Sequence, residues 1–179
     1  PNVTAARYRT LFRDVKEANM NMIRVWGGGV YEDDLFYDLA DENGILIWQD
    51  FMFACTTYPA DAAFLQRVAE EAEYNIRRLR NHPCLAMWCG NNEIQEGIKY
   101  WGWQKRFSPE VYARFRPDYE KLFCELLPAK VAELDEGRFY MHTSPYFANW
   151  GRPASWNVRD SHNWGIWYGR KPFESADEE

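Results

Sequence analysis

Three runs of this sequence, Met22-Ile23-Arg24-Val25-Trp26, Ile45-Leu46-Ile47-Trp48 and Leu85-Ala86-Met87-Trp88-Cys89, are apolar at nearly every successive position rather than at alternate ones. A strand that alternates can leave one face in water, whereas a strand apolar at successive positions has to be covered on both. The segments between the runs carry apolar residues at helical spacing. In the first, Tyr8, Leu11, Phe12, Val15 and Ala18 share a face, and Thr4 is placed to cap the start. The second runs from about 32 to 42; its acidic opening, Glu32-Asp33-Asp34, suits the positive end of a helix dipole, and Asn43-Gly44 stops it. The third has Asp61 as its cap and Phe64, Leu65, Val68, Ala72, Ile76 and Leu79 on one side. Such alternation predicts an α/β fold in which parallel strands alternate with covering helices.

Further along, 97–117 is rich in aromatics and reads as irregular until Ser108-Pro109-Glu110 opens a short helix. A helix is expected over 118–136, restarted at Pro128 and ended by Gly137, then a strand over 139–143. The stretch 144–171 reads as loop, with one more short strand near 159–162. Two architectures fit this order, a doubly wound open sheet and a TIM barrel. Three successive strands end in residues capable of chemistry: Arg24 to Trp26, Trp48 to Asp50, and Asn91 to Glu93. A barrel gathers its site at the C-terminal ends of many strands, while an open sheet uses one switch point. The pattern therefore favours the TIM barrel.

Charge and composition narrow the partner. The formal net charge is −6 and the basic residues are scattered, so the basic face of a nucleic-acid binder is lacking. No window approaches the roughly 18 consecutive apolar residues of a membrane span. Aromatic residues, however, make up 17% of the chain, nine of them Trp. An acidic chain with that many flat rings suits a neutral, flat-faced small molecule. Cys55, Cys84, Cys89 and Cys124 form no Cys-x-x-Cys pair and read as buried thiols. His82, His142 and His162 lack metal-ligand spacing, so no zinc site and no cofactor are expected.

Trp26-Gly27-Gly28-Gly29 lies where a phosphate loop would sit, but Glu32 stands in place of the third glycine, and three acids at the start of the next helix would repel a phosphate. The glycines are either a tight turn or a means of leaving the Trp26 ring exposed in a pocket. Gly90-Asn91-Asn92-Glu93 closes an apolar strand. A carboxyl held at a pocket wall there, partly desolvated and with its pKa raised toward neutrality, can act as a general acid, with the Asn amides holding a sugar hydroxyl; equally, Glu93 could cap the next segment. Trp26, Trp48 and Trp88 recur where strands finish, and Trp101, Trp103, Trp150, Trp156, Trp164 and Trp167 stand in loops. A pyranose offers C–H groups on one face and hydroxyls around its rim, which aromatic faces and amides or carboxylates respectively take up. Asp50 could bind a hydroxyl or cap its loop. His162 could reach a rim hydroxyl or tie down its own loop. Arg24, inside a strand, needs a carboxylate partner and reads as a positioning residue.

Arg24-Val25-Trp26-Gly27-Gly28-Gly29-Val30-Tyr31-Glu32, Trp48-Gln49-Asp50-Phe51-Met52-Phe53-Ala54-Cys55 and Trp88-Cys89-Gly90-Asn91-Asn92-Glu93 resemble, in order, the catalytic domain of the beta-mannosidases of glycoside hydrolase family two. Asp160-Ser161-His162-Asn163-Trp164-Gly165-Ile166-Trp167 and Lys171-Pro172-Phe173-Glu174 resemble later stretches of that domain. The resemblance implies a retaining exo-beta-mannosidase on a TIM barrel, with a beta-mannoside glycan as substrate. Under it Glu93 is the acid/base, Asn92 binds the hydroxyl beside the reacting carbon, and Trp26 lines the subsite for the terminal mannose. Tyr168 lies near the nucleophile, with Asp50, His162 and Trp164 as further substrate-binding candidates. The family's nucleophile is a Glu in a Ser-Glu-Tyr-Gly or Ser-Glu-Phe-Gly stretch, and this sequence has none; Glu174, Glu178 and Glu179 lie before its expected place. Residues 1–179 are therefore expected to be an incomplete barrel domain, about the second to sixth strands, of a larger multidomain glycosidase whose other domains are its partners. Such a piece would be inactive alone. Sibling activities, an exo-glucosaminidase or an endo-beta-mannosidase, and a non-catalytic carbohydrate-binding protein are the alternatives. The resemblance spans lysosomal and bacterial members alike.

Overall fold

The computed structural model describes residues 3–146, 160–162 and 164–178. Helix α1 (Ala5–Glu17) leads into β1 (Met22–Val25), α2 (Asp34–Asn43), β2 (Leu46–Asp50), α3 (Ala62–Leu79) and β3 (Leu85–Cys89). Three helices follow, α4 (Ile94–Tyr100), α5 (Trp103–Arg106) and α6 (Pro109–Tyr119). A π-helical stretch (Glu120–Leu126) then runs into α7 (Leu127–Leu134), and β4 (Phe139–Met141) completes the sheet. A 3-10 segment covers Phe173–Glu178. The strands pair in the order β1-β2-β3-β4, all parallel.

The expected caps form. The Thr4 side chain accepts from the Arg7 N–H, and Asp61 accepts from the Phe64 N–H at 3.0 Å. Helices α1, α2 and α3 then bring their apolar stripes into one core on one side of the sheet. Phe12, Phe36, Tyr37, Val68, Ala72, Ile76 and Leu79 join Ile47, Leu85 and Trp88 of the strands in one buried core. Burial of this kind is the main force holding the layers together. Its polar atoms are paired within it: Tyr37 Oη donates to Gln49 Oε1 at 2.6 Å, and Trp88 Nε1 donates to Asp135 Oδ2 at 3.0 Å.

The opposite face differs from the two-sided cover expected. Met22, Leu46 and Phe139 are exposed there, with Trp48 and Met87 only partly buried. The strand register sets Arg24, Trp48, Met87 and Phe139 side by side in one row. The helices α4 and α5 replace the expected irregular stretch. Short helices show little apolar periodicity, and here the aromatics pack on one another instead, Trp101 on Trp103 and Trp103 on Phe115. The restart expected at Pro128 is there: α7 opens at Leu127 with Pro128 in its first turn, directly after the π-helical stretch. Cys84 and Cys89 are buried as expected, but Cys55 and Cys124 are exposed, because each lines an open cavity rather than the core. Trp150, Trp156, Asn163 and part of the strand expected near 159–162 lie outside the described residues. No helix among the described residues is long and apolar enough to cross a membrane.

Candidate active site

At the C-terminal ends of the strands the sheet continues past its last full pairs by single bridges, Ala54 with Asn92 and Asn92 with Ser144. The Asn92 N–H donates to Phe53 O at 3.0 Å, the Cys55 N–H to Asn92 O at 2.9 Å, and the Glu93 N–H to Ser144 O at 2.7 Å. Glu93 is thereby held from both sides in the left-handed region, at φ 60°. A non-glycine residue there carries strain of about 1 kcal/mol or more and persists only where neighbours fix it. Asn91 supplies part of that fixing. Its Oδ1 accepts from the Ile94 N–H at the start of α4 and from Thr143 Oγ1, and its Nδ2 donates to His142 O. Glu93 therefore leaves the capping of α4 to Asn91 and turns its own side chain into a cavity.

That cavity, of about 610 Å³, is lined by Arg24, Trp26, Cys55, Asn92, Glu93, His162, Trp164 and Trp167. Trp26 stands half exposed on its wall, and the glycines explain how. A Cβ on Gly28 would fall 2.1 Å from the Trp26 ring, so the indole lies directly over the glycine. A Cβ on Gly27 would fall 2.5 Å from Phe53 O, so this turn is packed against the loop after β2.

Beneath the cavity, Arg24 is clamped. Its Nη2 and Nε donate to the two Asp50 oxygens at 2.7 and 3.2 Å, Nη2 also reaches Asn92 Oδ1 at 3.0 Å, and its guanidinium lies 5.1 Å from the centre of the Trp48 ring. Burial works against the Arg24 charge, yet the Asp50 carboxylate beside it raises the guanidinium above its usual range. Asp50 is fully buried and also accepts from the Gly27 N–H and Trp48 Nε1. It sits under the site as the anchor of Arg24, and its bonds go to the protein rather than to the cavity.

Glu93 Oε1 lies 2.7 Å from His162 Nδ1 and 3.5 Å from Trp164 Nε1, and its Oε2 lies 3.7 Å from Cys55 Sγ. Burial pushes the Glu93 carboxyl up, but the His162, Trp164 and Cys55 hydrogen bonds outweigh it and leave the group below its usual range, the opposite of the raised value expected from desolvation alone. His162 Nε2 is 2.8 Å from Ser144 Oγ and 3.3 Å from Arg24 Nη1, so both ring nitrogens are engaged within the protein.

Of the residues singled out in the sequence, Glu93, Trp26, Asn92, His162 and Trp164 come together on the cavity. Asp50 lies below it, and Tyr168 is exposed beside it without lining it. Trp167, Cys55 and Ser144 were not expected as site residues. Trp167 stood in the loop-tryptophan pattern and Cys55 closed one of the family-like stretches with no role given to it, but nothing in the sequence marked Ser144. Elsewhere, Asp41, His82 and Cys84 bring their ligand atoms within 4.8 Å of one another. Asp41 is already committed, to His82 Nδ1 at 2.6 Å and the Cys84 N–H at 2.7 Å, which fastens the turn before β3.

No family model matches the chain. Beta-mannosidase B of Aspergillus fumigatus is 41% identical over 177 residues, 94% of this chain and 20% of that protein. The beta-mannosidase of Bos taurus is 46% identical over 143 residues, 80% of this chain and 16% of its own. The crystal structure of a beta-D-mannosidase from Dictyoglomus thermophilum superposes with a TM-score of 0.81 at 45% identity, covering 97% of this chain and 20% of that one. The chain thus spans about one-fifth of the length of the curated relatives it matches. In sequence and in fold it is similar to part of these beta-mannosidases.

Proposed function

We propose that this chain is a segment of a retaining exo-beta-mannosidase that removes terminal beta-D-mannose, and that Glu93 is its general acid/base. The observation that carries the reading is the position of Glu93: at the end of β3, pinned by neighbouring strands, with its carboxyl in a cavity walled by Trp26 and Trp164. Protonated Glu93 gives its proton to the glycosidic oxygen as the bond to the sugar carbon breaks, then takes a proton from the incoming water. The indole faces of Trp26, Trp164 and Trp167 suit the C–H face of a pyranose. Asn92 offers Nδ2 to a hydroxyl, because its Oδ1 is turned to Arg24.

Retention requires a second carboxylate about 5 Å from the first. In this reading another part of a longer polypeptide supplies it. That part also supplies the barrel strands that cover Met22, Leu46 and Phe139, making residues 1–179 one portion of a (β/α) barrel domain. The chain by itself then releases no mannose. The test is hydrolysis of a panel of aryl glycosides by the complete polypeptide carrying these residues, with the product anomer followed by NMR. Release of beta-mannose supports the reading. Preference for a glucosaminide or for an internal mannoside bond moves the protein to a sibling activity, and sugar binding without turnover makes it a carbohydrate-binding protein.

A further inference from the structure

We propose that Glu93 carries its transferable proton on Oε2, and that His162 and Arg24 are positioning residues that put it there. This rests on the acid/base reading of Glu93 and adds which of its two oxygens does the work. Three donor-only groups carry the argument. Trp164 Nε1, 3.5 Å from Glu93 Oε1, can only donate, so Oε1 faces it as an acceptor. Arg24 Nη1, 3.3 Å from His162 Nε2, can only donate too. His162 Nε2 therefore presents its single lone pair on this side, and Ser144 Oγ, 2.8 Å away, shares it as a donor with the guanidinium. The ring proton then sits on Nδ1 and is donated to Glu93 Oε1 at 2.7 Å. Two N–H donors are aimed at Oε1, whereas Oε2 faces only the Cys55 thiol at 3.7 Å, a weak donor that can turn and accept; a proton bound to this carboxyl therefore has its place on Oε2.

Arg24 is the fixed point of the arrangement. The Asp50 fork and the Trp48 ring hold the guanidinium in place, so the third donor-only contact, Nη2 to Asn92 Oδ1, orients the amide at the same time. Its second hydrogen-bonding end, Nδ2, is then directed at Cys55 Sγ, 3.4 Å away, toward the cavity. One buried cation thereby sets an imidazole tautomer and an amide orientation. Among the described residues, the charged and titratable groups around the pair are Arg24, Asp50, Cys55 and, acting on Arg24 through space, Cys89 and Asp160. With both nitrogens taken inside the protein, His162 acts through Glu93 rather than on a sugar hydroxyl.

The tautomer is read directly by nitrogen NMR of histidine-labelled protein near neutral pH, with His162→Asn identifying the signal. The expected result is a neutral ring protonated at Nδ1. A ring protonated at Nε2, or at both nitrogens, overturns the proposal. In the complete polypeptide, His162→Ala should lower kcat on a mannoside with a poor leaving group by about tenfold or more while KM stays within about twofold. Loss of the donor to Oε1 should also move the alkaline limb of the kcat/KM profile to higher pH. His162→Asn, whose amide N–H can stand in for Nδ1–H, should recover much of the rate. A rise in KM at unchanged kcat, with the limb unmoved, would make His162 a substrate ligand and overturn the proposal. Because the tautomer is measured without turnover, absence of mannoside cleavage counts against the hydrolase reading alone.

Discussion

Arg24 Nη2 lies 2.7 Å from Asp50 Oδ2, and this one ion pair ties β1 to the end of β2 directly under the cavity. Asp50 is fully buried and accepts from four donors, two of them on Arg24. Asp50→Ala would strand a largely buried guanidinium and should cost about 3–5 kcal/mol of folding stability. Urea unfolding of the two proteins measures it; a loss below about 1 kcal/mol would contradict the role assigned to the pair.

Gly27 and Gly28 should separate fold from site. A Cβ on Gly27 meets backbone carbonyls of Phe53 and Phe51 at 2.5 and 2.7 Å, which cannot step aside cheaply. Gly27→Ala should therefore destabilise the fold by about 1–3 kcal/mol. A Cβ on Gly28 meets only the Trp26 ring, which can rotate away. Gly28→Ala should keep the melting temperature close to that of the parent and change the Trp26 environment, seen as altered tryptophan fluorescence and weaker sugar binding. Equal melting losses in both variants would show that Trp26 is a core residue and not a wall of the site.

The acid dependence of stability should carry the signature of Glu93. Its carboxyl sits below the usual 4.5, burial pushing it up and the His162 contact more than offsetting that. A carboxyl depressed in the folded state adds stability above its unfolded pKa and loses it as pH falls through the folded value. The parent should thus be stabilised relative to Glu93→Gln at neutral pH, and the gap should shrink below about pH 4.5. Melting curves across that range measure it. Two parallel curves would mean that Glu93 and His162 are not paired.

The layout of strands and helices was legible because its signals are local. Thr4 and Asp61 cap where their side chains dictate, and the three apolar runs pair as parallel strands. The short helices α4 and α5 were not legible, since they are held by aromatic packing between residues such as Trp103 and Phe115. For the site, residue type and position at a strand end marked Glu93, Asn92 and Trp26. What each one touches was not marked. Asp50 looked as available to a sugar as Glu93, and only burial against Arg24 distinguishes them. His162 reaches Glu93 across 69 residues of chain, and Ser144 completes the contact from the loop after β4. No spacing rule joins residues so far apart.

The most direct measurement is the rate of Glu93→Ala in the complete polypeptide on two mannosides, one with a poor leaving group and one with an activated aryl group. A general acid contributes roughly a hundred- to ten-thousand-fold. The account places that loss on the poor leaving group, which needs a proton to depart, and a much smaller one on the glycosylation step of the aryl mannoside, which does not. Equal losses on both substrates, or none, would contradict it.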